Sequence, residues 1–164
     1  MDVHSIVAAI KATWLSDAVK HYPWVWPTCE TLHFIGLSLL LGVVGLLDLR
    51  LMGFIKRVPV SALRPLLPYG IAGFVINLIT GLLFFIGAPD QYIFNIAFYW
   101  KLLFLVVAGA NALFFETTQG RRISEIEASG AVPTAFRVAG AVSLFSWFMV
   151  LYWGRMLPFV GNAF

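Results

Sequence analysis

Polar residues are sparse in this chain, and their spacing divides it. Four long apolar runs alternate with short polar stretches. The first runs from about Pro27 to Leu49 and reads PTCETLHFIGLSLLLGVVGLLDL. The second occupies about 67–88, inside Pro65–Pro89, a stretch with no charged residue. The third runs from about Ile96 to Thr118 and the fourth from about Thr134 to Leu157. Each matches the roughly 20 apolar residues that a helix needs to cross a bilayer. Residues 2–20 carry a different pattern. Val3, Ile6, Val7, Ile10 and Trp14 recur at helical spacing, with Asp2, Lys11, Asp17 and Lys20 elsewhere on the cylinder. This predicts an amphipathic helix lying in the membrane interface, with packing over the end of the bundle as the alternative. The expected fold is all-α: an integral membrane four-helix bundle, one domain over 1–164, preceded by an interfacial helix.

Composition supports lipid as the solvent. The chain has 164 residues, 60% hydrophobic and 12% charged, and a mean hydropathy of +0.88. A soluble domain carries about 25% charge, so 12% cannot clothe a water-facing surface. The start, MDVHSIVAAIKATW, lacks the basic region and long apolar core of a cleavable signal, so the first span is expected to serve as an uncleaved insertion signal. A single cysteine, Cys29, leaves no intrachain disulfide to form.

The distribution of charge predicts topology. The loops after the first and third spans, with the helix ends beside them, hold Arg50, Lys56, Arg57, Arg64, Arg121, Arg122 and Arg137. The other side holds Lys11, Lys20, Lys101 and Arg155. Basic loops stay in the cytoplasm, so both termini are expected outside, which is periplasmic for a bacterial inner membrane. Tyr22, Trp24, Trp26, Tyr92, Tyr99, Trp100, Tyr152 and Trp153 all fall at that outer boundary, as an aromatic belt should. No basic stripe outside the loops suggests a nucleic-acid partner. A short helix within Ile123–Ser129 is expected between the last two spans.

The chemistry concentrates at the outer ends of the spans. Glu30 and His33 stand one helical turn apart in the first span, His33 about 9 Å deeper than Pro27 at 1.5 Å per residue. Lys101 opens the third span from the same side, and Arg155 closes the fourth. Ionisable groups within a span are costly and raise a functional hypothesis. Glu30, His33, Lys101 and Arg155 are therefore the candidate ligand- or cofactor-binding set, able to hold a metal, a haem propionate, a quinone headgroup or a small anion. His33 is a candidate axial ligand for haem b, with Met156 as a possible second ligand, and His33 and Met156, with Glu30 as an optional third ligand, suit copper. The bland alternative has Lys101 and Arg155 snorkelling to headgroups and Glu30 paired with one of them. At the inner end, Asp48, Arg50, Glu116 and Asn111 form a second polar group, with Asp48 expected to pair with Arg50, Arg121 or Arg122. Small-residue pairs at Ser38 and Gly42 and at Ala139 and Ser143 permit close helix packing. No phosphate-binding loop, serine nucleophile motif or paired-histidine zinc signature is present, so no motif names a reaction.

The string YPWVWPTCETLHFIGLSLLLGVVGLLDLRLMG resembles a family of small uncharacterised bacterial membrane proteins: an aromatic-proline segment, Glu30-x-x-His33, a Leu/Gly-rich span, and an Asp48-Leu49-Arg50-Leu51 close. TGLLFF, the Asn95–Lys101 segment and NALFF also fit. The likeness covers nearly the whole chain and implies a four-helix membrane protein. It marks Glu30, His33, Asp48, Arg50, Lys101 and Asn111 without assigning them roles. A more distant similarity to the copper-resistance D membrane domain implies histidines in spanning helices. This chain lacks a second clear membrane histidine. Two function classes follow: a redox or metal-handling membrane subunit centred on His33, or a non-catalytic accessory subunit assembling with itself or with larger membrane partners.

Overall fold

A computed structural model describes residues 2–118 and 132–160. Among these residues the chain is helical, with no strand. Two short helices, α1 (Val3–Lys11) and α2 (Trp14–His21), precede the long helix α3 (Val25–Met52). A one-turn helix α4 (Val60–Leu63) and a 3-10 turn (Arg64–Leu66) lead into α5 (Leu67–Gly87). The short α6 (Pro89–Ile93) joins α5 to α7 (Ile96–Thr118), and α8 (Thr134–Met156) completes the bundle. Four helices are long and apolar enough to cross a membrane: Val25–Met52, the combined Val60–Gly87, Ile96–Thr118 and Thr134–Met156. Arg121, Arg122 and the helix expected within Ile123–Ser129 lie outside the described residues.

The boundaries follow local chemistry. α3 begins at Val25, two residues before Pro27. Proline fits there because the first N–H groups of a helix have no intrahelical partner. α3 ends at Gly53, whose φ of 92° is left-handed. Gly53 and Phe54 return their N–H groups to the carbonyls of Arg50 and Leu49, closing the helix with the αL geometry that glycine adopts without a Cβ penalty.

The segment 2–20, expected as one helix, is two. Thr13 interrupts it: its backbone is extended and its side chain accepts a hydrogen bond from Ser16 N, so it caps α2. α1 and α2 also pack over the end of the bundle, the alternative placement considered for this segment. Val19 and Ser16 are buried, and Val19 sits where a Cβ on Gly87 would stand, 2.7 Å away. His4 stacks on Phe94, and Lys11 pairs with Asp90 at 3.0 Å. Trp14, Trp24 and Tyr22 stay exposed at this end of the molecule.

The long helices pack antiparallel in the order α5, α3, α8, α7. α3 is central, touching α5 on one side and α8 on the other. Lipid tails are as apolar as leucine, so helix association in a membrane rests on close packing rather than on apolar burial. Accordingly, the tightest contacts are at glycine. A Cβ on Gly73 would lie 2.6 Å from the Gly36 carbonyl oxygen and 2.8 Å from Leu40 N. A Cβ on Gly36 would meet the Gly73 carbonyl at 2.8 Å. α3 and α8 cross at Gly140, where a Cβ would stand 2.8 Å from the Asp48 carbonyl. Of the small residues marked from sequence, Ser143 is buried, whereas Gly42 has nothing within 4 Å of an added Cβ. A core of Leu51, Val60, Val132 and Phe136, flanked by Leu47 and Phe115, closes the end opposite α1 and α2.

Gly73→Leu is expected to force α3 and α5 apart, at a cost near the upper end of overpacking, about 3 kcal/mol. Gly42→Ala should be neutral or stabilising by about 0.5 kcal/mol, since alanine is the better helix former. Thermal unfolding of the detergent-solubilised variants measures both. Equal stability of the two variants would sink the glycine-crossing account.

Candidate functional site

His33 projects from α3 into the α3–α5 contact. Its Nδ1 lies 2.7 Å from the Thr80 hydroxyl oxygen. Thr80 Oγ1 also lies 2.8 Å from the Ile76 carbonyl oxygen, one turn earlier in its own helix. A carbonyl only accepts, so the threonine hydroxyl donates to Ile76 and its oxygen is left to accept from His33. Nδ1 therefore carries the imidazole proton toward Thr80, and in the neutral ring Nε2 holds the lone pair. Phe84 lies against the imidazole at 5.7 Å between centroids, and Trp26 against Phe84 at 4.9 Å. A Cβ on Gly81 would reach His33 Cε1 at 4.0 Å. α5 therefore supplies the threonine that orients the ring, with Gly81 at ordinary contact distance beside it.

Lys101 enters from α7. Its aliphatic stem and ammonium lie along Gly154 of α8, with Cδ, Cε and Nζ each 3.7 to 3.8 Å from the place a Gly154 Cβ would take. Lys101 forms no hydrogen bond or ion pair with any described residue. Ammonium has three donors and no acceptor, and an intramembrane lysine ordinarily pairs or snorkels. Asn95 anchors the start of α7: its Oδ1 accepts from Ala97 N at 2.9 Å and its Nδ2 donates to the Leu157 carbonyl at 2.8 Å. This buried asparagine thus ties α7 to the end of α8.

The expected set does not assemble as a whole. Glu30 is exposed on α3 and makes no ion pair with Lys101 or Arg155. It accepts instead from Trp26 Nε1 at 3.2 Å, one turn back on the same helix. Arg155 is exposed and lies 5.0 Å over the Phe159 ring. The physical reason is helical geometry: three residues advance 300°, so Glu30 falls to the rim while His33 turns inward. No hydrogen bond, ion pair or ring contact links Met156 to His33, and among the described residues no three His, Cys, Asp or Glu side chains gather into a group that could hold a metal. A surface depression of about 260 Å³ lined by Pro27, Thr28, Thr31 and Leu32 sits on exposed positions of α3, away from the half-buried His33.

The inner group is rearranged too. Asp48 is buried, the Ser143 hydroxyl faces it, and Oδ2 has no hydrogen-bond partner. It does not pair with Arg50, whose Nε donates to the Val58 carbonyl and so fastens the loop after α3. Glu116 pairs with Arg64 at 2.7 Å, joining α7 to the base of α5. Asn111 donates to the Ala139 carbonyl at 3.0 Å and joins α7 to α8.

Two groups outside the spans complete the electrostatics at the His33 end. Burial, and then the nearby negative charge of Glu30, push the Tyr92 phenol up to about 12. Tyr92 also packs edge-on against Phe98, and Phe85 stacks on Phe98 at 5.8 Å, so aromatic rings from α5, α6 and α7 meet at this rim. Burial alone would raise the Asp90 carboxyl. The hydrogen bond and charge from Lys11, with Lys20 adding to them, outweigh it and hold Asp90 below its ordinary value.

No protein-family model, curated protein or solved structure matches this chain.

The Asp90 geometry predicts a pH dependence. A carboxyl whose folded pKa is depressed contributes stability that is present above its unfolded value and lost as pH falls through the folded one. The Lys11–Asp90 tie should therefore weaken below about pH 4, the ordinary aspartate range. Both side chains are nearly half exposed, so the effect should stay under about 1 kcal/mol. Amide hydrogen exchange over Val3–Lys11, corrected for intrinsic rates, should be faster relative to the bundle at pH 3 than at pH 6. Asp90→Asn should remove that difference, and its persistence in the variant would contradict the assignment.

Proposed function

We propose that this integral membrane protein binds a small, polar-headed ligand in the half of the bundle that holds His33 and Lys101. One observation carries the reading. Lys101 places an ammonium against Gly154 of α8, toward the same end of the bundle as His33, with no acceptor among the described residues. An intramembrane ammonium without a partner is expensive, and a ligand that accepts its hydrogen bonds offsets that cost. Rings of Phe84 and Trp26 on one flank and Phe85 and Phe98 on another suit an apolar or aromatic body behind the polar head. Haem and copper have less support, because His33 gains no second protein ligand among the described residues.

A non-catalytic accessory subunit, assembling with itself or with larger membrane partners, is the second reading. The His33–Thr80 bond favours it, since that bond also fastens α3 to α5. Lys101 separates the two readings, because it fastens nothing. We further propose a bacterial inner membrane location with the Lys101 end outside, based on Arg50, Lys56, Arg57 and Arg64 at the opposite end and on exposed tryptophans at this one. Membership of the small bacterial family that Glu30-x-x-His33 and Asp48-Leu49-Arg50 resemble is part of the same proposal.

Two measurements test these statements. Protein purified in mild detergent should yield, on organic extraction and mass spectrometry, a small molecule near one per chain. Lys101→Met should lose it at least tenfold, while Lys56→Met should keep it. An empty wild-type extract, or one unchanged by Lys101→Met, supports the accessory subunit. A Soret band removed by His33→Ala would replace the reading with haem. For topology, on a Cys29→Ser background, an impermeant maleimide should label Lys20→Cys but not Lys56→Cys in intact cells. The opposite pattern would invert the orientation.

A further inference from the structure

We propose that Asp48, at the crossing of α3 and α8, is a proton-binding site: its carboxyl is kept as the neutral acid, with the proton on Oδ2 and the Ser143 hydroxyl donating to Oδ1. This site lies at the opposite end of the bundle from His33 and does not depend on the reading of that end. Asp48 is 5% exposed, and its Oδ2 has no hydrogen-bond partner. The Ser143 hydroxyl of α8 does bond to the carboxyl, so it reaches the other oxygen, Oδ1. An ionised carboxylate is acceptor-only, with about four lone-pair sites and a full charge to satisfy. One serine proton does not meet that demand.

Among the described residues the surroundings supply no cation. On α3 itself Arg50 stands two residues on and turns its Nε to the Val58 carbonyl. α5 carries no charged residue, and its one titratable group, Tyr69, is exposed. α4 carries none, and Arg64 beyond it pairs with Glu116 of α7 at 2.7 Å. On α8, Arg137 is exposed and lies six residues before Ser143, on a different face of the helix. α8 is also closed against α3 here. A Cβ on Gly140 would stand 2.8 Å from the Asp48 carbonyl oxygen and 3.2 Å from Leu51 Cβ and Met52 Cγ. Gly140 and Ser143, three apart, share a face of α8, so the same close approach holds the serine at the carboxyl. A carboxyl buried without a cation gives up its charge rather than bear it unpaired. The neutral acid has one O–H left to place, a smaller cost than a whole charge. Exchange with water has a short way to go: Asp48 is five residues before Gly53, about 7.5 Å along the helix. Removing the proton would leave an anion with a single serine for a partner, which favours parting α8 from α3.

The test reads the proton directly. Infrared spectra of the full chain in lipid are taken at about pH 7, where exposed carboxyls are ionised. Wild type should show the C=O stretch of a protonated carboxylic acid, and Asp48→Asn should lack it. Ser143→Ala should move the band to higher frequency, because a hydrogen bond to the carbonyl oxygen lowers it. A second measurement follows equilibrium unfolding by SDS in mixed micelles. Folding takes up a proton at Asp48, whereas an unfolded aspartate is already ionised above about pH 4. Wild type should therefore lose stability relative to Asp48→Asn as the pH rises from about 5 to about 7, by up to about tenfold in the folding constant per pH unit. An aspartate ionised against a cation would do the reverse: it would give no band, and Asp48→Asn would be the less stable protein throughout. Either result overturns the proposal. A band that depends on Asp48 but ignores Ser143→Ala would overturn the serine's part and leave the proton site standing.

Discussion

The approach of α3 and α5 at Gly36 and Gly73 governs the rest of the molecule. With backbone atoms only 2.6 to 2.8 Å from where either Cβ would stand, the two helices admit one register. That register sets Val43 against Gly70 and His33 level with Thr80. A slide by one turn, about 5.4 Å, would leave a buried imidazole without its partner and drive a side chain into a backbone. Position along the bundle is thus set by the absence of side chains at two points, and the chemistry of the polar residues follows from it.

Polar groups in the bundle then divide by what they hold. Asn95, Asn111, Arg50 and the Arg64–Glu116 pair each bridge different segments and are satisfied by doing so. Such bonds are modest in lipid, averaging about 0.6 kcal/mol, yet there are enough of them to specify which helices neighbour one another. His33 belongs with them, since its Nδ1 fastens α3 to α5 through Thr80. Lys101 has no partner among the described residues, whereas Asp48 faces the Ser143 hydroxyl of α8 with one oxygen left unpaired. They lie near opposite ends of the bundle, and the packed residues between those ends include apolar Leu40 and Val43 and polar Asn77 and Ser146.

Much of this architecture was legible in the residues. Apolar run length alone located four spans to within a few residues, because the bilayer thickness leaves a helix little choice. The departures have local causes. Thr13 divides the amino-terminal helix, a capping residue whose extended backbone the apolar periodicity does not register. The site was only half legible. His33 and Lys101 both proved to lie inside the bundle at one end, but helix rotation carried Glu30 outward, and nothing in a linear string sets that angle. Thr80 was visible as a polar point in an apolar span, yet its partnership with His33, 47 residues away, needs the Gly36–Gly73 register first. Asn95, just ahead of a helical run, carries the asparagine cap signal, but its bond to the Leu157 carbonyl, 62 residues away, has no mark in the linear string.

Lys101 and Gly154 lie side by side on neighbouring helices. A Cβ at position 154 would meet the lysine stem at 3.7 to 3.8 Å, ordinary contact distance, so the ammonium rests beside α8 without needing the glycine to admit it. Holding a cation there, with no acid among the described residues to meet it, costs stability that the bundle must recover elsewhere. Thr80 shows the same economy from the other side: its hydroxyl satisfies its own helix, then spends its second lone pair on fixing which face of the imidazole stays open. Thr80 therefore orients the imidazole, while the α7–α8 contact at Gly154 carries the lysine.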